Sequence, residues 1–261
     1  MPDEIFPPLE DGHPRNPRRK NNKSLIVMTE LGNEMRQLDG FLSTDECRAW
    51  IAFGENYHHT CNTAEKEVGF VKCFQEESSE YAFRRQGRIE IDAESVASSI
   101  FARLLSSNAF PIQIDGLKPL CCTNDIRLYR YEKGDAFGRH VDESNEVFPG
   151  CYSFFTCLVY LNGNDANDSE GFTEFDENGF CGLHGGATSF YESHNAKCPS
   201  ISIRPDVGRC LLHAHGNRCM THEAEPVING CKFVLRTDVV YGLSKRPSRG
   251  AVAKKHSRSC R

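Results

Sequence analysis

His140 and Asp142 stand one residue apart in Asp135-Ala-Phe-Gly-Arg-His-Val-Asp-Glu143, and His222 and Lys232 lie far downstream. In an extended segment successive side chains alternate faces, so residues two apart point the same way. An imidazole and a carboxylate placed like this can grip a single ion, and a second histidine completes three ligands on one side. Such a set leaves coordination positions open and suits a ferrous ion that reacts with oxygen. The pair alone says little, because a chain with 10 histidines meets His-x-Asp by chance about half the time. What surrounds it decides.

From Asn124 onward the hydrophobic period is two. Ile126–Tyr131 presents Arg127, Tyr129 and Tyr131 on one face. Ser153–Leu161 is apolar on both faces and reads as a central strand. Phe172–Phe175, Ala187–Tyr191, Arg209–His215 and Cys231–Tyr241 follow, divided by Gly- and Asn-rich turns. In the last run Phe233, Leu235, Val239 and Tyr241 share a face with Cys231, and Lys232, Val234, Arg236 and Asp238 share the other. Cations on such a face are either solvated or, inside a barrel, in need of an anion. A dicarboxylate would supply one.

Ahead of these strands, Met35–Phe41 reads as a strand. Ser43 opens a helix with Glu46 completing a capping box, and Cys47, Trp50 and Ile51 form its buried face. A second helix starts near Asp92, with Ala97, Ile100, Phe101, Leu104 and Leu105 at helical spacing. Residues 60–90 are polar and irregular, with Arg84, Arg85 and Arg88 clustered, and read as an exposed loop rather than a substrate-gripping lid. Short strands after two helices imply a β-sandwich or open barrel with helices on one side.

At 261 residues and 26% charged, the chain suits one globular domain with tails. The net charge of −5 and the lack of a basic, aromatic-rich stripe argue against nucleic acid. No apolar run reaches the length of a membrane span, and Met1-Pro-Asp-Glu-Ile-Phe-Pro-Pro is the opposite of a signal peptide. The 13 cysteines are an odd number in a long chain without an export signal. They read as reduced thiols of a cytoplasmic or nuclear protein. Residues 1–33, rich in Pro, Asn and charge, read as a mostly disordered tail, and residues 245–261 as a solvated basic one.

Five segments, in order, resemble the Fe(II)- and 2-oxoglutarate-dependent dioxygenases, and within them the prolyl 4-hydroxylase-like branch. Arg127-Leu-Tyr-Arg-Tyr131-Glu-Lys-Gly134 is similar to the family's strand and Tyr-x-x-Gly segment. His140-Val-Asp142 matches its His-x-Asp pair, and Leu158-Val-Tyr-Leu161-Asn its next core strand. Glu170-Gly-Phe-Thr173-Glu-Phe175 resembles Gly-Gly-x-Thr-x-Phe, with Phe172 in place of the second glycine. His222-Glu-Ala-Glu-Pro226 through Lys232 resembles the distal histidine segment, where a basic residue follows ten positions on.

The resemblance implies an α+β, mainly β chain whose core is a double-stranded β-helix, a jelly-roll or cupin-like barrel, buttressed by N-terminal helices. Residues 34–123 would form the supporting region and 124–244 the barrel. It implies Fe(II) held by His140, Asp142 and His222, 2-oxoglutarate as co-substrate and O₂ as the oxidant, with ascorbate as a further cofactor. Lys232 would bind the far carboxylate, with Tyr131 and Thr173 as hydrogen-bonding candidates. Arg236 shares the face of Lys232 and stays open as the anchor. The implied reaction hydroxylates a C–H bond of a peptidyl proline or other protein side chain, releasing succinate and CO₂. Two alternatives stand beside it: a small-molecule substrate, and a non-enzymatic zinc module built from His213, His215, Cys219 and His222.

Overall fold

The period-two runs pair into an antiparallel sheet that curls until its two halves face each other. The structure is a computed structural model and describes residues 6–9, 26–32, 34–59, 68–163 and 182–243. A hairpin of β1 (Val27–Gly32) and β2 (Met35–Asp39) precedes helix α1 (Thr44–Glu55). A second hairpin, β3 (Val71–Gln75) and β4 (Arg84–Asp92), leads into α2 (Glu94–Ser106). Then come β5 (Lys118–Cys122), β6 (Asp125–Tyr131), β7 (Ala136–His140), β8 (Glu146–Phe148) and β9 (Cys151–Tyr160). After them run β10 (Leu183–Gly185), β11 (Thr188–Tyr191), β12 (Ile201–Ile203) and β13 (Cys210–Ala214). Last are β14 (Thr221–Ala224), β15 (Val227–Gly230) and β16 (Lys232–Gly242).

The main sheet runs β1-β2-β13-β9-β16-β6-β4-β7-β14-β11-β12, and β10 pairs with β15 apart from it. Contacts across the interior prove the curl. Tyr160 on β9 donates to the Thr188 hydroxyl on β11 at 2.7 Å, although the two strands are far apart in the order. The Phe190 and His213 rings, from β11 and β13, likewise lie 5.4 Å apart.

Alternation along each strand feeds two cores. Leu128, Val159, Leu212 and Leu235 join one cluster with Trp50 of α1 and Ile100 and Leu104 of α2. Their neighbours Tyr129, Tyr160, Leu211 and Val234 join a second cluster inside the curl. Each strand is therefore buried on both faces, which is why Ser153–Leu161 lacks a polar side. It sits centrally, between β13 and β16.

The expected helices form where the signals placed them. Ser43 accepts from the Glu46 amide while the Glu46 carboxylate accepts from the Ser43 amide, closing the capping box. One expectation needs correction. Within residues 60–90, residues 71–75 and 84–90 are not loop, because β3 and β4 extend the sheet beside β6, while residues 76–83 form the connection between them. Ile89 and Ile91 fill the outer core there, but only this pair is apolar in a strand that opens on Arg84, Arg85, Gln86, Gly87 and Arg88. Within residues 1–33, β1 pairs with β2 from Val27 and Leu9 is buried in the outer core; residues 1–5, 10–25 and 33 lie outside the described residues. Strand β5, a short Lys-Pro-Leu-Cys-Cys run, has no alternating pattern to mark it in the sequence. Phe172–Phe175 falls outside the described residues. The ten cysteines among the described residues are free thiols, and no helix among those residues is long and apolar enough to cross a membrane.

One buried ion pair ties the two helices to the sheet's entry. Arg103 of α2 donates to Glu46 of α1 at 2.5 and 3.0 Å, and to the Phe41 carbonyl at 2.9 Å. Replacing Arg103 removes the guanidinium that faces the buried Glu46 carboxylate and leaves the Ser43 amide among its partners. Arg103→Ala should lower the stability by about 3–5 kcal/mol, whereas leucine at both positions should cost much less. Urea unfolding of both variants checks this, and equal losses would contradict it.

Candidate metal centre

Three adjacent strands make the floor of the interior pocket. Register sets Lys232 opposite Tyr131, Val234 opposite Tyr129 and Arg236 opposite Arg127, with Arg88 of β4 opposite Tyr129. Alternation then turns Lys232, Val234 and Arg236 inward together with Tyr129 and Tyr131. The inward reading of Lys232, Val234, Arg236 and Asp238 holds in the fold, and its polar members sit in the interior rather than in solvent. The pocket has a volume of about 50 Å³.

The opposite wall carries the donor cluster. β7 ends at His140 directly opposite His222 of β14, and the two rings lie 4.3 Å apart. Asp142 follows two residues beyond the strand. Its carboxylate Oδ1 is 3.9 Å from His140 Nε2 and its Oδ2 is 3.9 Å from His222 Nε2. The ligand atoms of the three residues lie within 4.8 Å of one another. Both imidazoles are aimed by their other nitrogen. Nδ1–H of His140 donates to the Gly138 carbonyl at 2.8 Å and that of His222 to the Met220 carbonyl at 3.0 Å. A carbonyl can only accept, so each Nε2 is left with its lone pair facing the carboxylate.

Asp142 is the most heavily supported group. Its Oδ2 accepts from the Thr156 hydroxyl at 2.6 Å and pairs with Arg236 at 3.1 Å. The network continues outward. Arg236 donates to Asp238 at 3.2 Å, and Arg127 lies 3.8 Å from the same carboxylate. Arg236 is thus occupied by two carboxylates. Lys232 has none in contact among the described residues: its Nζ donates to the Gly186 carbonyl at 2.6 Å and lies over the Tyr131 and Tyr160 rings. Gly186 adopts a φ of +70°, and a side chain there would press on the lysine stem at 3.1 Å, so glycine suits both the turn and the approach.

Burial sets the protonation states. It pushes His140 down to about 3, helped by His222, and lowers His213 and His222 as well. The imidazoles are therefore neutral donors. Burial opposes ionisation of Asp142, but Arg236 and the histidines prevail and hold its carboxyl well below the usual range. Burial also drops Lys232 to about 7, only partly offset by Glu225.

Sequence reasoning missed several lining residues. Thr156 and Leu158 face the pocket by the period of β9, and Arg84 does so from β4. His213 is 3% exposed, its Nε2 is 3.7 Å from Asp142, and its Nδ1 has no hydrogen-bond partner among the described residues. The four-ligand zinc set does not assemble. His213, Cys219 and His222 converge, but His215 turns away to Thr156 at 2.8 Å and Ser153 at 3.1 Å. Thr173 lies outside the described residues.

No protein-family model and no curated relative matches the chain. Among solved structures it is similar to the collagen prolyl hydroxylase of Paramecium bursaria Chlorella virus 1 in complex with 2OG. The TM-score is 0.50, with 17% identity over 81% of this chain and 97% of the viral one. A prolyl hydroxylase from Trichoplax adhaerens, in complex with a hypoxia inducible factor peptide fragment, gives 0.49 at 16% identity, over 80% of this chain and 84% of that one. A Pseudomonas putida prolyl-4-hydroxylase gives 0.43 at 19% identity, over 79% and 92%. The fold assignment rests on the viral protein.

The depressed histidines make a pH prediction for the metal-free protein. Below about pH 6.5 the unfolded chain takes up protons that the folded imidazoles resist, His140 until about pH 3, so stability is full above that window and lost as pH falls through it. The urea midpoint should drop between pH 6.5 and 3, and less steeply in His140→Phe. A midpoint flat across the window would contradict neutral buried imidazoles. In architecture, the chain has the double-stranded β-helix fold of the viral hydroxylase.

Proposed function

We infer that the chain is an Fe(II)- and 2-oxoglutarate-dependent dioxygenase that hydroxylates a peptidyl proline or another protein side chain, with succinate and CO₂ as co-products. One observation carries this. Two neutral imidazoles and one ionised carboxylate converge on a pocket whose far side holds a buried lysine with no carboxylate in contact among the described residues. The viral protein of the same fold is a collagen prolyl hydroxylase in complex with 2OG, which supplies the substrate class.

The donor set fits a ferrous ion. Nitrogen, nitrogen and carboxylate oxygen are the ligands such iron takes, and three of them leave room for a chelating co-substrate and oxygen. His140, Asp142 and His222 would hold it, and bound iron with 2-oxoglutarate supplies oxygen activation to the site. Every other contribution comes from the chain. Lys232, flanked by Tyr131, receives the far carboxylate of 2-oxoglutarate, whose charge favours the protonated lysine. Arg236 is the weaker choice of anchor because Asp142 and Asp238 already engage it. Leu158, Val234 and Phe137 line the space between with apolar surface, which limits water where the target C–H is presented.

The test is the visible charge-transfer band of the chelate when metal-free protein receives Fe(II) and 2-oxoglutarate without oxygen. His140→Ala and Asp142→Ala should abolish the band. Lys232→Ala should keep the iron and weaken 2-oxoglutarate about ten- to a hundredfold, the loss of one charge-assisted contact. A band absent from the parent protein, together with tightly held zinc that Cys219→Ala releases, would replace this reading with a zinc-binding module.

A further inference from the structure

The pocket holds more positive charge than the proposed co-substrate can answer. Among the described residues its lining includes Arg84, Lys232 and Arg236 against the carboxylate of Asp142. Asp142 and Asp238 compensate Arg236, and the far end of 2-oxoglutarate would compensate Lys232. The near end of that molecule belongs to the dication. Arg84 is left over.

Its surroundings aim it. Gln86 is fully buried and satisfies its hydrogen bonds with the amide oxygen toward Arg84, accepting Nε at 3.0 Å and Nη2 at 2.7 Å. The same amide donates to the Tyr131 hydroxyl on the pocket floor. The guanidinium lies 4.8 Å above the Phe137 ring and 5.8 Å from that of Tyr129. Phe137 in turn stacks on His140 at 3.7 Å. Arg84 therefore stands one aromatic ring from the donor cluster, held on three sides by neutral groups, with Nη1 free of any protein acceptor among the described residues. No carboxylate among the described residues forms an ion pair with it, whereas its neighbours Arg85 and Arg88 pair with Asp135 and Glu90. A guanidinium fixed by a neutral amide and left with open N–H donors is built to receive an oxyanion.

We propose that Arg84 is a specificity residue that binds a carboxylate carried by the substrate beside the hydroxylated carbon. This rests on the dioxygenase reading above and narrows it to acidic prolyl substrates. The carboxylate comes either from an aspartate or glutamate next to the proline or from a chain terminus at the proline. Both present the same group to the guanidinium.

The experiment uses the full chain loaded with Fe(II) and 2-oxoglutarate without oxygen, and reads how prolyl peptides perturb the chelate band. The peptides pair Glu with Gln beside the proline, and a free C-terminal carboxylate with its amide. Acidic members should perturb the band at about tenfold lower concentration than their neutral counterparts, as one charge-assisted contact implies. Arg84→Gln should erase that difference while leaving the band and 2-oxoglutarate affinity intact, and Arg84→Lys should restore part of it. Which acidic pair responds identifies the source of the carboxylate. Equal response to neutral peptides, no response to any peptide, a preference that survives Arg84→Gln, or lost 2-oxoglutarate affinity in that variant each overturns the proposal. Absence of the band in the parent protein instead takes down the dioxygenase reading itself, so the two failures are distinct.

Discussion

The Asp142 carboxylate, buried and held by Arg236 and Thr156, is the contact on which the rest of the site depends. An unpaired carboxylate this deep would take up a proton and cease to be a ligand. Arg236 prevents that, but a buried guanidinium needs compensation of its own, which Asp238 supplies from the same strand and Arg127 extends across to β6. Such a chain of alternating charge can be assembled only where adjacent strands hold fixed register, because each pair must meet within a few ångströms. The pairing of β16 with β6 and β9 provides that register. Burying the apolar faces of those strands against α1 and α2 in turn keeps them from slipping, since a one-residue shift would send Arg236 into the outer core.

The same division explains how the pocket and the fold share one set of strands. On β16, Phe233, Leu235 and Val239 pack outward while Lys232, Val234 and Arg236 face inward. Stability resides mainly on one side and chemistry on the other. Lys232 is the exception, because it is fully buried and lowered to about 7. A dicarboxylate bound against it would favour the protonated form and so stabilise the folded state by linkage.

Much of this is legible in the residues. Alternation over residues 231–241 separates inward from outward positions, and the Ser43/Glu46 pattern locates α1. His140, Asp142 and His222 converge as their spacing suggests. Other parts are hidden for physical reasons. β4 reads as a polar loop because its inward residues are arginines and a glutamine, and only a pocket lined by polar groups makes that pattern a strand. Thr156 looks like an unremarkable core threonine until the fold sets it beside Asp142. His213 resembles any strand histidine, and its approach to Asp142 depends on the sheet curling back on itself. Long-range closure of that kind has no local signature.

Two overlapping donor sets share His222, and the nitrogen it offers separates them. Toward Asp142 it presents Nε2, while Cys219 Sγ lies 3.8 Å from Nδ1 on the other edge of the ring. Nδ1–H is already donated to the Met220 carbonyl, so recruiting that edge would require removing the proton and breaking the bond. The thiol is equally unready. Burial pushes Cys219 up to about 11, leaving it protonated, whereas zinc binds the thiolate. On the Asp142 side every donor is already in its ligand form: two imidazoles kept neutral by burial and one carboxylate kept ionised by Arg236. An ion at the nitrogen–oxygen face would therefore find its donors already in their ligand forms, whereas one at the sulfur face would have to displace a proton from Cys219 and another from His222 Nδ1.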